Sequence, residues 1–237
     1  MLDETFFLDG VDARSVGIRL QRGLEFSDPV PEIDREIVPG RNGELIFYTG
    51  SYGNREGTAE CFALESDVIP KIAEINKFLL SNAGYRKLET SYDPDHYWMA
   101  VVSNGSSINQ AMRKLNPFEI EFDCKPQRFR NDGSDAVSFV ADGTIENPYY
   151  FNALPIVKVY GDGAGILNIG QYRIDILSLD EKGIILDSET MNAYNIDGNK
   201  NNSIKADVFP VLIGGENTVS FSGGIARVEI IPRWWEL

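Results

Sequence analysis

The single histidine of the sequence, His96, lies in the segment DPDHYWMA between two carboxylates and a run of apolar residues. A hydrolytic triad needs an imidazole that an acid orients and a serine that it activates, and Asp93 or Asp95 could orient this one. The sequence does not contain the G-x-S-x-G turn that exposes such a serine. A histidine beside acids in a turn is far more common, and we favour that interpretation.

The same two aspartates are also candidates for the acid and base of a glycosidase. Such a pair stands several ångströms apart across a glycosidic bond. Asp93 and Asp95 are two positions apart in a turn, with Pro94 between them, and this spacing does not suit the chemistry. We therefore predict no catalytic residue here.

Two further segments only partly match binding loops. In GDGAGILNIG, Ile166 stands where the third glycine of a dinucleotide loop belongs, and strand-like text follows, so we predict a hairpin turn. In DGNKNNSIKADV, Asp197, Asn199 and Asn201 alternate as in a calcium loop. The twelfth position is Val208 instead of glutamate, which favours a polar loop over an ion site. We predict no metal site and no cofactor.

The cysteines, Cys61 and Cys124, lie far apart within apolar, strand-like text. Because the cytosol keeps thiols reduced, we expect two buried thiols instead of a disulfide, a metal pair or a nucleophile.

Two aromatic groups could form binding surfaces. Tyr149, Tyr150 and Phe151 in NPYYFNALP could stack on a sugar or a partner, or could fasten the segment to its own domain, which is the interpretation we favour. Trp234 and Trp235 alternate in the predicted strand VEIIPRWW. We expect one of them in the core of its own domain and the other against the first domain or a partner.

The composition is that of a folded, acidic protein. The chain has 237 residues, 43% of them hydrophobic, and a net charge of -14. This charge argues against binding to nucleic acid, which depends on Lys and Arg. No apolar stretch is long enough for a membrane span, and the acidic start MLDETFFLDG does not resemble a secretory signal, so we expect synthesis in the cytosol.

The elements that would position these residues are mostly strands. Short apolar runs separated by Gly, Asn and Asp turns fill both halves of the chain. One helix is predicted in SDVIPKIAEINKFLLSNAGY, where Ile72, Ile75 and Leu79 recur on one face. The turn-rich segment RNDGSDAVSFVADGTIEN indicates a boundary, which gives domains at 1–133 and 134–237.

Segments from both halves resemble the phage tail protein family, and more narrowly the distal tail proteins (Dit) of long, flexible-tailed phages. In the first half they are FFLDGVDARSVGIRL, IVPGRNGELIFYTGSYGNREGTAECFAL, YRKLETSYDPDHYWMAVV and FEIEFDCKPQRFR. In the second half they are NPYYFNALPIVKVYGDG, DSETMNAYN, NKNNSIKADVFPVLIGGENTVSFSG and VEIIPRWWEL. The similarity spans nearly the whole chain in order.

The resemblance implies a structural assembly protein that is not an enzyme. The implied fold is mainly β, with one helix in a ring-forming N-terminal β-barrel or sandwich domain and a galectin-like or carbohydrate-binding-module-like C-terminal antiparallel sandwich. The implied location is the tail tip of the virion, after assembly in the host cytoplasm. There the family forms a hexameric baseplate ring that joins the tail tube to the tail-fibre hub and serves host adsorption.

The resemblance also implies partners. They are further copies of the chain (a hexamer, or a back-to-back dodecamer in isolation), the tail tube protein, the tail-tip hub with its tail-associated lysin, and receptor-binding proteins. DNA passes through the lumen without being bound, and no membrane is involved. The alternative function is an adhesion module that binds carbohydrate through the C-terminal sandwich, with Tyr149 and Tyr150 as contacts.

In this family an extended hairpin of the N-terminal domain grips the neighbouring subunit. Carried onto this sequence, the hairpin is roughly residues 37–57, around Pro39, Gly40, Arg41, Gly43 and Tyr48. A polar, glycine-rich hairpin that cannot pack on its own core is understandable if it pairs with another chain.

Overall fold

The computed structural model describes residues 4–63, 65–104 and 117–237. Within them the chain is mainly β with one α-helix, which confirms the predicted class. It divides into two compact units, Met1–Arg128 with Leu237, and Phe129–Glu236. The sequence analysis set the boundary after residue 133.

The first unit contains ten strands and a helix among the described residues. These are β1 (Phe6–Leu8), β2 (Val11–Asp12), β3 (Ile18–Leu20), β4 (Glu25–Phe26), β5 (Pro31–Glu36), β6 (Leu45–Tyr52), β7 (Arg55–Ala63), α1 (Glu65–Leu80), β8 (Arg86–Thr90), β9 (Asp93–Val102) and β10 (Phe118–Arg130). A short 3-10 helix, Ala13–Val16, follows β2.

Most of these strands form one antiparallel sheet in the order β2-β1-β8-β9-β10-β7-β3, with β4 also on β7. The sheet has one buried face and one exposed face. In strand β10, for example, buried apolar side chains alternate with exposed acidic ones from Phe118 to Cys124. The buried side chains meet the helix residues Ile75, Phe78 and Leu79 in one core. The helix begins at Glu65, one residue before the start of the predicted helical segment at Ser66.

Strands β5 and β6 form a separate two-stranded antiparallel hairpin. The predicted hairpin, residues 37–57, is therefore shifted along the chain. Its first strand begins earlier, at Pro31, and residues 55–57 lie in β7. The reason is the pairing of β7 with β10, in which Gly57 is buried opposite Phe122.

The second unit consists of shorter strands and two long ones. They are β11 (Val137–Phe139), β12 (Gly143–Asn147), β13 (Ile156–Ile169), β14 (Tyr172–Leu179), β15 (Ile184–Asp187), β16 (Asn192–Asn195), β17 (Gly198–Asn199), β18 (Ile204–Lys205), β19 (Gly215–Ile231) and β20 (Trp235–Glu236). Two more 3-10 helices are Asn131–Ser134 and Asn201–Ser203.

The long strands β13 and β19 pair with each other and hold the second unit together. Strand β19 also pairs with β11 and β12, and β13 also pairs with β14 and β15, all antiparallel. The enclosed core is mainly aliphatic, with Val157, Leu167, Val228 and Ile230 fully buried.

One prediction about these long strands is wrong. The segment GDGAG is not a hairpin turn, because Gly161 to Gly165 lie inside β13, opposite Gly223 in β19. The chain around Gly223 likewise forms one continuous strand, β19. Glycines without β-carbons let two paired strands bend at close approach without ending either of them.

Candidate functional site

The hairpin of β5 and β6, which we call the arm (residues 31–52), is largely exposed. Its register pairs Ile33 with Tyr48 and Glu36 with Leu45, and residues 37–44 form the turn. In that turn Gly40 and Gly43 adopt φ angles of +81° and +82°. Only glycine adopts this left-handed backbone readily, so these two residues set the shape of the turn.

The arm exposes large apolar side chains. Ile46, Phe47 and Tyr48 are each more than half exposed, and Ile37 in the turn is 77% exposed. Successive residues of a strand point to opposite faces, so Phe47 lies on one face of the arm while Ile46 and Tyr48 lie on the other. Both faces of the arm are therefore apolar surfaces that a partner could cover.

The structure places the residues predicted for this arm close together. Pro39, Gly40, Arg41 and Gly43 lie in the turn, and Tyr48 lies on β6 with its ring against that of Tyr52, at 6.0 Å between centroids. The turn residues are exposed.

A second surface, which the sequence analysis did not single out, is an acidic face on the outer side of β4, β7 and β10. It consists of Glu25, Glu56, Glu60, Glu119, Glu121 and Asp123. The pairing of β7 and β10 sets Glu60 directly opposite Glu119, and Glu56 opposite Asp123. Like charges placed opposite each other across two strands destabilise a sheet.

Little neutralises this acidic face. Glu25 forms an ion pair with Arg22 at 2.8 Å, and Asp123 accepts a hydrogen bond from the Asn54 side chain at 2.9 Å. Among the described residues, none forms an ion pair with Glu60 or Glu119. The sequence signal was the alternation FEIEFD, but the strand opposite it could not be identified from sequence alone.

In the second unit, an aromatic loop at residues 149–151 stands out. Tyr150 is 91% exposed, and its ring meets that of Phe151 edge-on at 5.7 Å. Phe151 stacks on Trp235 at 4.8 Å, and the Trp235 indole N–H donates to the Asn152 carbonyl at 3.0 Å. Tyr149 packs against the core of the unit. Phe151 thus lies between Tyr150 and Trp235, two residues singled out separately in the sequence.

Buried amides hold this loop in place. The Asn147 side chain donates to the carbonyls of Phe151 and Leu212 and accepts from the Tyr149 amide at 2.9–3.0 Å. The side chain of Asn217 bonds both backbone groups of Ile213 next to Leu212. Since every one of these bonds ties side chain to backbone, the loop has a fixed shape.

The adjacent tryptophans do not lie on one closing strand. Strand β19 ends at Ile231, and Arg233 takes a positive φ of 57° before β20 begins. Trp234 is buried in the core of the second unit, 7% exposed. Trp235 is half-buried on Phe151, a residue of the same unit. The turn is held by Arg233, whose amide donates to the Gly133 carbonyl and whose guanidinium contacts Asp187 at 2.7 Å.

The candidate catalytic residues form an ion-paired network. Asp93 Oδ1 lies 2.8 Å from His96 Nδ1, and Asp93 Oδ2 lies 3.1 Å from Arg128 Nε. Arg128 also lies 3.0 Å from the same imidazole nitrogen. Asp93 thus links its own strand, β9, to β10 through Arg128.

The remaining sequence candidates also have structural roles. Asp197 is bonded to Lys182 at 2.6 Å, and the side chain of Asn201 bonds Ala193 and Asn192. Cys61 and Cys124 are free and buried, and burial raises the pKa of the Cys124 thiol to about 12, which makes it a poor nucleophile.

Among the described residues, the His, Cys, Asp and Glu side chains do not gather in groups of three or more that could hold a metal ion. No helix in the described part of the chain is long and apolar enough to cross a membrane.

Comparison with known proteins gives one match to a family domain and one match in fold. Residues 15–124 match the phage tail protein RIFT-related domain. The crystal structure of the Dit protein (gp 19.1) of phage SPP1 matches with a TM-score of 0.65 and 13% sequence identity, covering 99% of each chain. That protein is described as a paradigm of the hub adsorption apparatus in phages that infect Gram-positive bacteria. No curated protein matches the chain.

The two matches overlap in the first unit. The family match falls within the first unit, which contains the arm and the acidic face, and the shared fold extends over both units. Residues 15–124 thus match a domain of phage tail proteins, and the whole chain shares the fold of the SPP1 distal tail protein.

Proposed function

We propose that the chain forms a hexameric ring at the tail tip of a long-tailed phage, where it joins the tail tube to the hub that carries the tail-associated lysin. The first unit forms the ring. The second unit, with the galectin-like architecture predicted above, stands outside it and carries receptor-binding proteins. The protein named in the structural comparison belongs to a hub adsorption apparatus, which supports this assignment.

The arm is the observation that carries the proposal. A two-stranded hairpin is at best marginally stable by itself in water. This one also exposes Ile46, Phe47 and Tyr48, whose burial is worth about 1.5–3 kcal/mol each. A neighbouring copy of the chain that covers the arm would both stabilise the hairpin and gain this burial.

The test is the mass of the chain in solution, measured by light scattering, with negative-stain images of the same peak. We expect six-fold rings, or two rings back to back. The variant Phe47→Ser with Tyr48→Ser should remain folded, because both side chains are exposed, and should lose the ring. Tyr150→Ser, which removes a more exposed aromatic from the second unit, is the control and should keep it.

Two results would contradict the proposal. One is a wild-type chain that stays monomeric at high concentration even with the tail tube and hub proteins added. The other is equal loss of assembly in the arm variant and in the Tyr150→Ser control.

Because of its negative charge, we assign the acidic face to the wall of the ring lumen. Duplex DNA that must slide through a ring should not adhere to it, and unpaired carboxylates repel phosphates. The ring variant Glu60→Lys with Glu119→Lys should retain duplex DNA in a filter-binding assay at low salt, whereas the wild-type ring should not.

The matched control places the same charge change on the second unit, with Glu181→Lys and Asp207→Lys. Both of these residues are exposed. If the control ring retains as much DNA as the Glu60/Glu119 variant, net charge decides the outcome and the lumen assignment is wrong.

A second candidate function is adhesion to host carbohydrate through the second unit. The observation that favours it is Tyr150, which is 91% exposed on a loop of fixed shape beside Phe151 and Trp235. An exposed aromatic ring can stack on the apolar face of a sugar. A glycan array should then show binding that Tyr150→Ala abolishes. Binding that survives this substitution would exclude the loop.

A further inference from the structure

The chain contains two Asn-Gly pairs, Asn42-Gly43 and Asn104-Gly105. In such a pair the asparagine is chemically labile, because glycine has no β-carbon to shield its backbone nitrogen from the preceding side-chain amide. Whether the pair reacts depends on how freely the asparagine side chain and the glycine nitrogen can move. The two asparagines differ sharply in this respect.

Asn42 is unconstrained. It is exposed in the turn of the arm, and a β-carbon built on Gly43 would meet nothing within 4 Å. Neither the Asn42 side chain nor the Gly43 amide forms a hydrogen bond with any described residue, although the neighbouring Arg41 amide does donate to the Val38 carbonyl. The side-chain carbon of Asn42 can therefore approach the Gly43 nitrogen without breaking a contact.

Asn104 is held. Its side-chain nitrogen donates to the Glu119 carbonyl at 2.8 Å, and its side-chain oxygen accepts from the Glu121 amide at 3.0 Å. Both bonds fix the side chain against β10. They must break before the amide carbon can turn back toward its own backbone.

We propose that Asn42 is a site of spontaneous deamidation in the arm. The Gly43 nitrogen attacks the Asn42 side-chain carbon, a new N–C bond forms, and the C–N bond to the side-chain amide breaks with release of ammonia. Water then opens the cyclic imide at either carbonyl, which leaves aspartate or isoaspartate. The sequence of steps consumes one water and needs no oxidant, reductant or enzyme.

The products change the arm in two ways. Each adds a negative charge to the turn, and isoaspartate also inserts one methylene into the main chain. The turn geometry sets the register of a hairpin, so an altered turn should disturb the pairing of β5 with β6. This consequence rests on the proposed function: the free chain should stay competent for ring assembly for a limited time.

The modification is tested by incubating the purified chain at mildly alkaline pH and mapping tryptic peptides over time. Cleavage after Arg41 and Arg55 isolates the peptide 42–55. We expect Asn42 to convert about tenfold faster than Asn104 or more, because two hydrogen bonds hold the second side chain. In denaturant the two rates should converge. Equal rates in the folded chain, or no conversion at Asn42, would overturn the proposal.

One variant and the aged wild-type chain test the consequence for assembly separately. Asn42→Gln should not undergo the fast conversion and should assemble after ageing as well as when fresh. Aged wild-type chain should lose rings in proportion to its isoaspartate content. Undiminished assembly of the aged chain would refute the claim that the free chain stays competent for assembly only for a limited time. If fresh chain forms no ring, the proposed function fails, while the conversion at Asn42 is still measured.

Discussion

At the scale of single residues, the Arg233–Asp187 pair fixes the turn between β19 and β20. The two side chains lie 2.7 Å apart and are 24% and 10% exposed. Burial raises the pKa of Asp187, but the hydrogen bonds and charge of Arg233 outweigh it and hold the pKa below its usual value. The folded state therefore prefers the ionised carboxylate.

We expect Arg233→Ala to lower the unfolding free energy by about 2–3 kcal/mol at neutral pH, because it leaves a largely buried carboxylate without its partner. Urea unfolding measures this loss. Arg173→Ala is the matched control: its ion pair with Asp175 is well exposed, and the expected loss is below about 1 kcal/mol. Equal losses in the two variants would contradict the assignment.

The same pair predicts a pH dependence. A depressed folded pKa gives a stabilisation that is complete above the unfolded pKa of about 4 and is lost as pH falls through the lower folded value. The difference in stability between wild type and Asp187→Asn should therefore shrink in acid. Paired urea titrations at neutral pH and below pH 4 measure it; a constant difference would be inconsistent with the pair.

Trp234 and Trp235 should contribute unequally to the unfolding free energy. Trp234→Ala should cost about 3–5 kcal/mol, as expected for a large side chain removed from a packed core. Trp235→Ala should cost about 1–2 kcal/mol, since it loses one stacking contact and one hydrogen bond. Acrylamide quenching of each single variant also reports which indole is accessible. A reversed order of costs would refute the packing described.

At the scale of elements, the bend shared by β13 and β19 decides the architecture of the second unit. A β-carbon at Gly161 would lie 1.9 Å from the Gly224 carbonyl oxygen, whereas one at Gly163 would meet nothing within 4 Å. Gly161→Ala should therefore cost more than about 3 kcal/mol. Gly163→Ala, with φ +84°, should cost only about 1–2 kcal/mol in backbone strain. Thermal unfolding of both variants provides the comparison.

The alternation of side chains made many elements predictable from sequence. The bend shared by β13 and β19 could not be predicted in this way. The strand from Phe118 to Cys124 and the helical face at Ile75 and Leu79 follow directly from periodicity, and the structure confirms them. The glycines at 161–165 indicated a turn because glycine commonly ends strands. Only the matching glycines of β19, more than fifty positions away, turn this segment into a bend within paired strands.

At the scale of the whole molecule, the sequence indicated the family and the arm but not the acidic face. Arm residues such as Gly40 and Tyr48 are neighbours in sequence, so a resemblance could locate them. Glu60 and Glu119 are brought together by a register between distant strands, and no local pattern encodes that register. The same limit applied to Tyr150 and Trp235, which meet through Phe151.

The opposed carboxylates of the acidic face should lower the unfolding free energy of the chain. Glu119→Gln should raise the unfolding free energy by about 0.5 kcal/mol at low salt, because it removes the carboxylate opposite Glu60, and the gain should fade as salt screens the charges. Glu181→Gln, in the exposed turn after β14, makes the same change in net charge and should leave stability nearly unchanged. A gain at Glu119 alone would mean that the chain retains a destabilising pair of charges, as the proposed lumen wall requires. Equal gains at both positions would instead attribute the effect to the overall charge of -14.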